Sequence, residues 1–266
     1  MDELREWVRA WRPDVAGIRE VFHARFVEHA YPAHTHDTWT VFIVDEGAIR
    51  YDLEASHRGA AAGARVTLLP PHVVHDGRSA NVAGYRKRVL YVDTDLLEEG
   101  LIGPAVDHPD IEDTNVVKCI RSLHRVLPAL HDPLEAESLV TTAFGSIRQH
   151  LGACEPIEGR SDRVLAAEVR EYLDAHRFET VTLAETGRAL HTSPSHVIRS
   201  FTEAFGIAPH RYVTGRRIDE ARRRLLEGEP PASVAAGVGF HDQPHLTRQF
   251  RKHVGTTPAR YATSGR

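Results

Sequence analysis

The chain is short of the residues that staple a protein or anchor it. Among 266 residues there are two cysteines, Cys119 and Cys154, and one methionine. Two thiols cannot build the disulfide framework of a small secreted domain, so free thiols in a reducing cytoplasm are the expectation. No apolar run approaches the ~18 residues of a membrane span. The start MDELREWVRAW carries no signal-peptide core. Excess positive charge is missing too, since the formal net charge is −4, unlike that of a uniformly basic nucleic-acid binder. Lysine is scarce in this Arg- and Ala-rich chain, the usage of a GC-rich genome. What is present, 41% hydrophobic and 26% charged residues, is ordinary for a globular protein. The length suits two domains.

The charge is unevenly spread. From Ser161 to Arg266, 16 Lys and Arg stand against 12 Asp and Glu, and the remaining residues hold 17 against 25. A basic C-terminal end and an acidic N-terminal end are expected to have different partners.

The basic end spells one unit twice. LAETGRALHTSPSHVIRSFTEAFGIAPHRY runs from Leu183 to Tyr212, and ASVAAGVGFHDQPHLTRQFRKHVGTTPARY from Ala232 to Tyr261. Each reads as a short helix, a tight turn, a second helix and then Gly-x-x-Pro-x-x-Tyr. That is the helix-turn-helix pattern, whose second helix fits the DNA major groove. In the second unit Val234, Ala235 and Val238 share one face, Gly239 takes the turn, Phe240 anchors, and Asp242 caps the next helix. Leu246 and Phe250 then point inward. Gln243, His245, Thr247 and Arg248 are left outside, where Gln and Arg can fork onto base edges.

In the first unit Ser193-Pro194 starts the second helix. Val197, Phe201 and Phe205 face inward, and Ser195, His196, Ile198 and Arg199 are the outward candidates. His191 sits in the turn where glycine is easier, and Gly187 weakens the helix before it. Ile198 on an outer face suits a thymine methyl or simple packing. Between the units, Pro209 to Glu227 is predicted as a rod about 28 Å long at ~1.5 Å per residue. It spaces the reading helices by roughly one DNA turn, about 34 Å. Its arginines 211, 216, 217, 222, 223 and 224 are expected, as a set, beside a phosphate backbone.

GFHDQPHLTRQFRKHVGTTPARY and SPSHVIRSFTEAFGIAPHRY resemble the DNA-binding domain of the AraC/XylS family of bacterial transcription regulators, from about Ser161 to Tyr261. The resemblance implies two helix-turn-helix units that read DNA through Ser195, Ile198 and Arg199, and through Gln243, His245, Thr247 and Arg248. Pro244, His191, Gly187 and Ile198 depart from the family pattern. Promoter DNA and RNA polymerase are the implied partners.

The acidic end reads as short strands broken by Gly and Pro: 21–27, 40–44, 48–53, 65–69 and 86–92. Such punctuation indicates a sandwich or barrel. PAHTHDTWTVFIVDEGAIRY and GARVTLLPPHVVHDG resemble the two motifs of a cupin barrel, the sensor domain of many such regulators. His34, His36 and His75 occupy histidine positions of that pattern. Thr40 and Val41 fall where its Glu belongs, and His72 replaces a Gly. Without the carboxylate the expectation is no cofactor and no metal, these three histidines being the candidates if one binds. They are expected instead to contact a small effector, alongside Trp39, Tyr51, Tyr85 and Arg88.

From Thr114 to Leu151 the pattern is helical. One stripe is Val117, Ile120, Leu123, Val126 and Leu127; the other is Leu134, Leu139, Val140, Phe144 and Ile147. These helices either pair two subunits or pack within the chain. The expected whole is an α+β protein. Residues 1–152 form a cupin-like effector domain that also has a dimerising role open to it, 153–160 a linker, and 161–266 an all-helical DNA-binding domain. The function expected is an effector-responsive, non-enzymatic transcription regulator. Two alternatives stand beside it: a metal-dependent cupin enzyme, which leaves the duplicated units unexplained, and a DNA-binding protein whose barrel only dimerises.

Overall fold

A computed structural model describes residues 6–54, 56–128, 133–153, 164–179 and 181–265. The N-terminal half is antiparallel. Its strands are β1 (Trp7–Trp11), β2 (Ile18–Phe26), β3 (Tyr31–His34), β4 (Trp39–Leu53), β5 (Ser56–Ala61), β6 (Val66–Leu69), β7 (His75–Ser79), β8 (Tyr85–Val92) and β9 (Asp110–Ile111). One face runs in the order β1-β2-β8-β4-β6-β9, while β3 and β5 reach it through β7 and β4. The two expected strands 40–44 and 48–53 are one 15-residue strand, β4. A register shift between Val44 and Glu46 bends it, so that its first half pairs with β6 and β8 and its second with β5 and β7. A bulge of this kind turns a corner without breaking the ladder, which is why the gap expected between residues 44 and 48 is not a break.

Side chains alternate across these strands. Val21, Val41, Ile43, Leu68 and Leu90 face outward onto α2 (Thr114–Val126) and α3 (Pro133–Gly152), meeting Ile120, Leu123, Phe144 and Ile147. A short helix, α1 (Ile102–Asp107), precedes them. Both stripes therefore pack within the chain. Leu134 is the exception, 69% exposed. Six residues before Val140, at about 100° per residue, it lies about 120° round the helix from the buried stripe.

The C-terminal half holds α4 (Val164–Ala175), α5 (Leu183–Ala189), α6 (Pro194–Phe205), α7 (Pro209–Leu226), α8 (Pro231–Gly237), α9 (Gln243–Val254) and α10 (Pro258–Thr263). The first unit closes over Val169, Leu173, Val197, Phe201, Ile207 and Tyr212. The core of the second is continuous with the barrel interior. Leu225, Leu246, Phe250 and Tyr261 belong to the same buried cluster as Phe22, Phe26, Tyr85 and Tyr91. The expected linker, Ala153 apart, lies outside the described residues.

Candidate functional site

The second helix of each unit starts where its cap puts it. Ser193 accepts from the His196 N–H at 3.2 Å, with Pro194 at the first helical position. Asp242 accepts from the His245 N–H at 2.6 Å. Opposite the buried Val197 and Phe201 of α6, the side chains Ser195, His196, Ile198 and Arg199 are exposed. On α9, Gln243 and Arg248 are exposed, His245 and Thr247 are half-buried, and Leu246 and Phe250 are buried beneath them. His245 lies edge-on to Phe240 at 5.2 Å. His191 does adopt the left-handed backbone that its turn demands, with φ at 52°. Gly187 has a steric reason to be glycine, because a Cβ there would sit 2.6 Å from the Thr192 carbonyl oxygen.

The rod α7 is where the structure corrects the sequence. Its arginines do not form a free basic face, and Arg222 is not exposed to a phosphate. Arg222 is 6% exposed and donates to Glu20 of β2 at 2.6 Å and to the Tyr261 hydroxyl at 3.1 Å. Burial works against its charge, but Glu20 and its neighbours hold its pKa well above the ordinary value. Arg216 is also buried, paired with Asp37 at 3.0 Å, Asp219 at 3.3 Å and Asp174 at 3.4 Å. Burial alone would raise the Asp37 carboxyl, yet the Arg216 and Arg19 guanidiniums hold it down at about 2. Arg217 caps the carbonyls of Arg177, Gly239 and Glu179. Arg223 and Arg224 pair with Glu220 within the helix, which leaves Arg211 exposed. The physical reason is that α7 docks on the barrel mouth, so Glu20 and Asp37 of the N-terminal half take Arg222 and Arg216, while the helix and its C-terminal neighbours occupy Arg217, Arg223 and Arg224. A charged cleft of about 620 Å³ runs along this seam, lined by Arg19, Glu20, Asp37, Asp219 and Arg223 among others.

Inside the barrel, His34, His36, Tyr51, His75 and Tyr85 come together as expected, joined by Tyr31, Lys87 and Tyr91. Two expected contacts do not join them. Trp39 faces the helices, its indole N–H donating to the Leu97 carbonyl at 2.9 Å. Arg88 points outward and forks onto Asp45 at 2.7 and 2.8 Å. Strand parity explains both, since Thr40 and Lys87, one residue away, take the inward positions. The alternation Tyr85, Lys87, Val89, Tyr91 was the available signal. Burial and the Arg222 charge push the Lys87 ammonium down to about 7. It stands 4.3 Å over the Tyr31 ring. Free space in this pocket is about 30 Å³.

The three histidines are buried, with a ligand-capable nitrogen of each within 4.8 Å of the others. Each Nδ1 has an acceptor: the Pro32 carbonyl at 2.7 Å for His34, the Val73 carbonyl at 3.0 Å for His75, and Asp219 Oδ1 at 2.8 Å for His36. Burial and the neighbouring rings push His34 well below the ordinary value. Burial and His36 push His75 down to about 3. No sequence pattern announces Asp219, which reaches the site from 183 residues away.

Comparison with known proteins covers both halves. Residues 17–144 match the AraC-like ligand binding domain, and residues 186–264 match a helix-turn-helix domain. The chain is 25% identical over 237 residues to the uncharacterized HTH-type transcriptional regulator YbfI of Bacillus subtilis (strain 168), covering 85% of each protein. It is 25% identical over 249 residues to the HTH-type transcriptional activator RhaS of Pectobacterium atrosepticum, covering 88% of each. In fold it is similar to ToxT of Vibrio cholerae O395, with a TM-score of 0.59, 12% identity and 97% of each chain covered.

Proposed function

The chain belongs to the AraC family of DNA-binding transcription regulators and carries that family's ligand-binding domain, and on that premise we propose how it reads DNA and what it answers to. The bases are met by Ser195, His196, Ile198 and Arg199 of α6 and by Gln243, His245, Thr247 and Arg248 of α9. The observation that carries this is the pairing, in both helices, of a capped and exposed first turn with a tightly buried opposite face. Packing then fixes the direction of the outward side chains before DNA arrives. Residues 161–266 form the DNA-binding domain and 1–152 the sensor. RNA polymerase is the partner on promoter DNA, and a second copy of the chain meets the outer surfaces of α2 and α3.

The effector enters the barrel among His34, His36, Tyr51, His75 and Tyr85. A structure of ToxT from Vibrio cholerae is named for its bound unsaturated fatty acid. The roughly 30 Å³ inside this barrel holds nothing of that size, since organic ligands need about 300–1,000 Å³. The relatives bear the names of transcription regulators, which gives the enzymatic alternative no support.

Selection by the full chain from random duplex DNA tests the reading. One defined motif is expected, and it should vanish when Gln243 and Arg248 are both replaced by Ala. Binding of every sequence alike, with strong salt sensitivity, would contradict it.

A further inference from the structure

Resting on the reading that the barrel is the sensor, we propose that its effector is a divalent transition-metal ion of the zinc class, bound by His34, His36 and His75, with Asp219 of the DNA-binding half supporting one ligand from behind.

The hydrogen bonds decide which nitrogens are free. Carbonyl and carboxylate oxygens only accept, so the contacts to Pro32, Val73 and Asp219 place a proton on each Nδ1. On a neutral ring the Nε2 then carries the lone pair a metal needs. The Nε2 atoms of His34 and His36 face each other at 3.2 Å, a spacing that a cation between them, a proton or a metal ion, makes attractive. Two metal–nitrogen bonds of about 2.0–2.1 Å at a tetrahedral angle put their nitrogens about 3.3 Å apart, close to that spacing. The third ring is already within 4.8 Å, and drawing it in by about 1–1.5 Å completes a three-histidine set with one open position. Three neutral imidazoles suit zinc, cobalt, iron or nickel and disfavour magnesium and calcium, which want oxygen. The free space of about 30 Å³ is room for an ion with a water or two.

The support behind the rings turns a binding site into a switch. Ligating histidines usually donate their other N–H to a carbonyl or carboxylate that orients the ring and tunes the metal. Here two such acceptors are local, and the third belongs to α7. A metal on His36 Nε2 polarises the Nδ1–H and strengthens its bond to Asp219, so loading the barrel tightens its hold on the DNA-binding half. Asp219 also holds Arg216 at 3.3 Å, which ties the site to the seam. By linkage, whatever α7 gains from the metal the metal gains from α7.

The test uses the full chain stripped with a chelator. Cobalt(II) titration should give one ion per chain with the visible absorption of a tetrahedral site, displaced by zinc. His75→Ala should weaken cobalt binding at least 100-fold. His75→Cys should keep the ion and add a thiolate-to-cobalt charge-transfer band, which a purely structural histidine would never produce. Zinc should change affinity for the selected DNA on the order of tenfold. In Asp219→Asn that change should disappear while metal binding weakens about 10–100-fold. Absence of stoichiometric cobalt in a chain that binds DNA overturns the metal site and leaves the regulator reading standing. Loss of DNA binding with and without metal strikes that reading instead. Cobalt bound without the new band in His75→Cys overturns the ligand set, and unmoved DNA affinity overturns its role as effector.

Discussion

Arg248 and Arg222 carry the same guanidinium in opposite settings. Arg248 is exposed on α9, so its removal should act on DNA. Arg248→Ala is expected to relax preference at one base position, costing about 1–3 kcal/mol for a lost fork, and Ile198→Ala should cost less. Binding-site selection with each variant decides between them; an unchanged motif for Arg248→Ala, with a rewritten one for Ile198→Ala, would move specificity to the first unit. Removal of Arg222 should act on folding, because it leaves the buried Glu20 carboxylate without its cation, the Tyr261 hydroxyl alone still donating to it. A loss of about 3–5 kcal/mol in urea unfolding is expected for Arg222→Ala, and a smaller loss when Glu20 and Arg222 are replaced together by apolar residues. Histidines set the acid limit. Burial first, then the Arg88 charge, pushes His23 down to about 4, and its partner His124 lies well below the ordinary value. Their neutral forms favour the fold, so that stability is whole above about pH 6.5, the unfolded value, and is lost as pH falls toward 4. The urea midpoint should therefore be lower at pH 5 than at pH 7, and the gap should narrow in His23→Phe.

At the scale of elements, α7 both joins the two helix-turn-helix units and docks on the N-terminal half. Its approach is close because residue 215 is glycine. A Cβ there would lie 3.5 Å from the Thr35 carbonyl and 3.8 Å from His34 Cβ. A methyl fits that space and a larger group does not. Gly215→Ala is expected to be neutral or to stabilise by up to about 1 kcal/mol, from the helix propensity of Ala. Gly215→Leu should lift α7 from β3, opening the seam; small-angle scattering should then show a larger radius of gyration for Leu and none for Ala. Equal radii for all three proteins would mean that the seam is held elsewhere.

For the whole molecule, the charge split bears on independence. The fragment from residue 161 carries 16 basic against 12 acidic side chains and its own caps and cores, so it should fold and bind promoter DNA alone. Each phosphate it neutralises should add about 0.9 to the slope of log affinity against log salt. It should also be less stable than the whole chain, because its second core continues into the barrel and its Arg216 and Arg222 lose Asp37 and Glu20. A soluble, folded fragment without affinity for DNA at low salt would contradict the division.

The duplicated units, their caps at Ser193 and Asp242, and their inward residues were legible because helical signals are local: spacing of 3.6 residues, a capping oxygen, a proline at the first turn. The histidine set was legible for a similar reason, the motif spacing that names His34, His36 and His75. Parity within a strand was not, because slipping by one residue exchanges faces, and it separated Lys87 from Arg88 and Thr40 from Trp39. Least legible was the seam. Whether an arginine on an amphipathic helix meets phosphate or a carboxylate depends on which surface folds against it, and Glu20, Asp37 and Asp219 meet there only after the chain has closed. The sequence by itself determined the strand-rich and helical halves and the capped second helix of each duplicated unit. Only the tertiary structure decided that α7 gives Arg216 and Arg222 to the N-terminal half, because pairing of charges far apart in the chain is settled by docking and leaves no periodic trace.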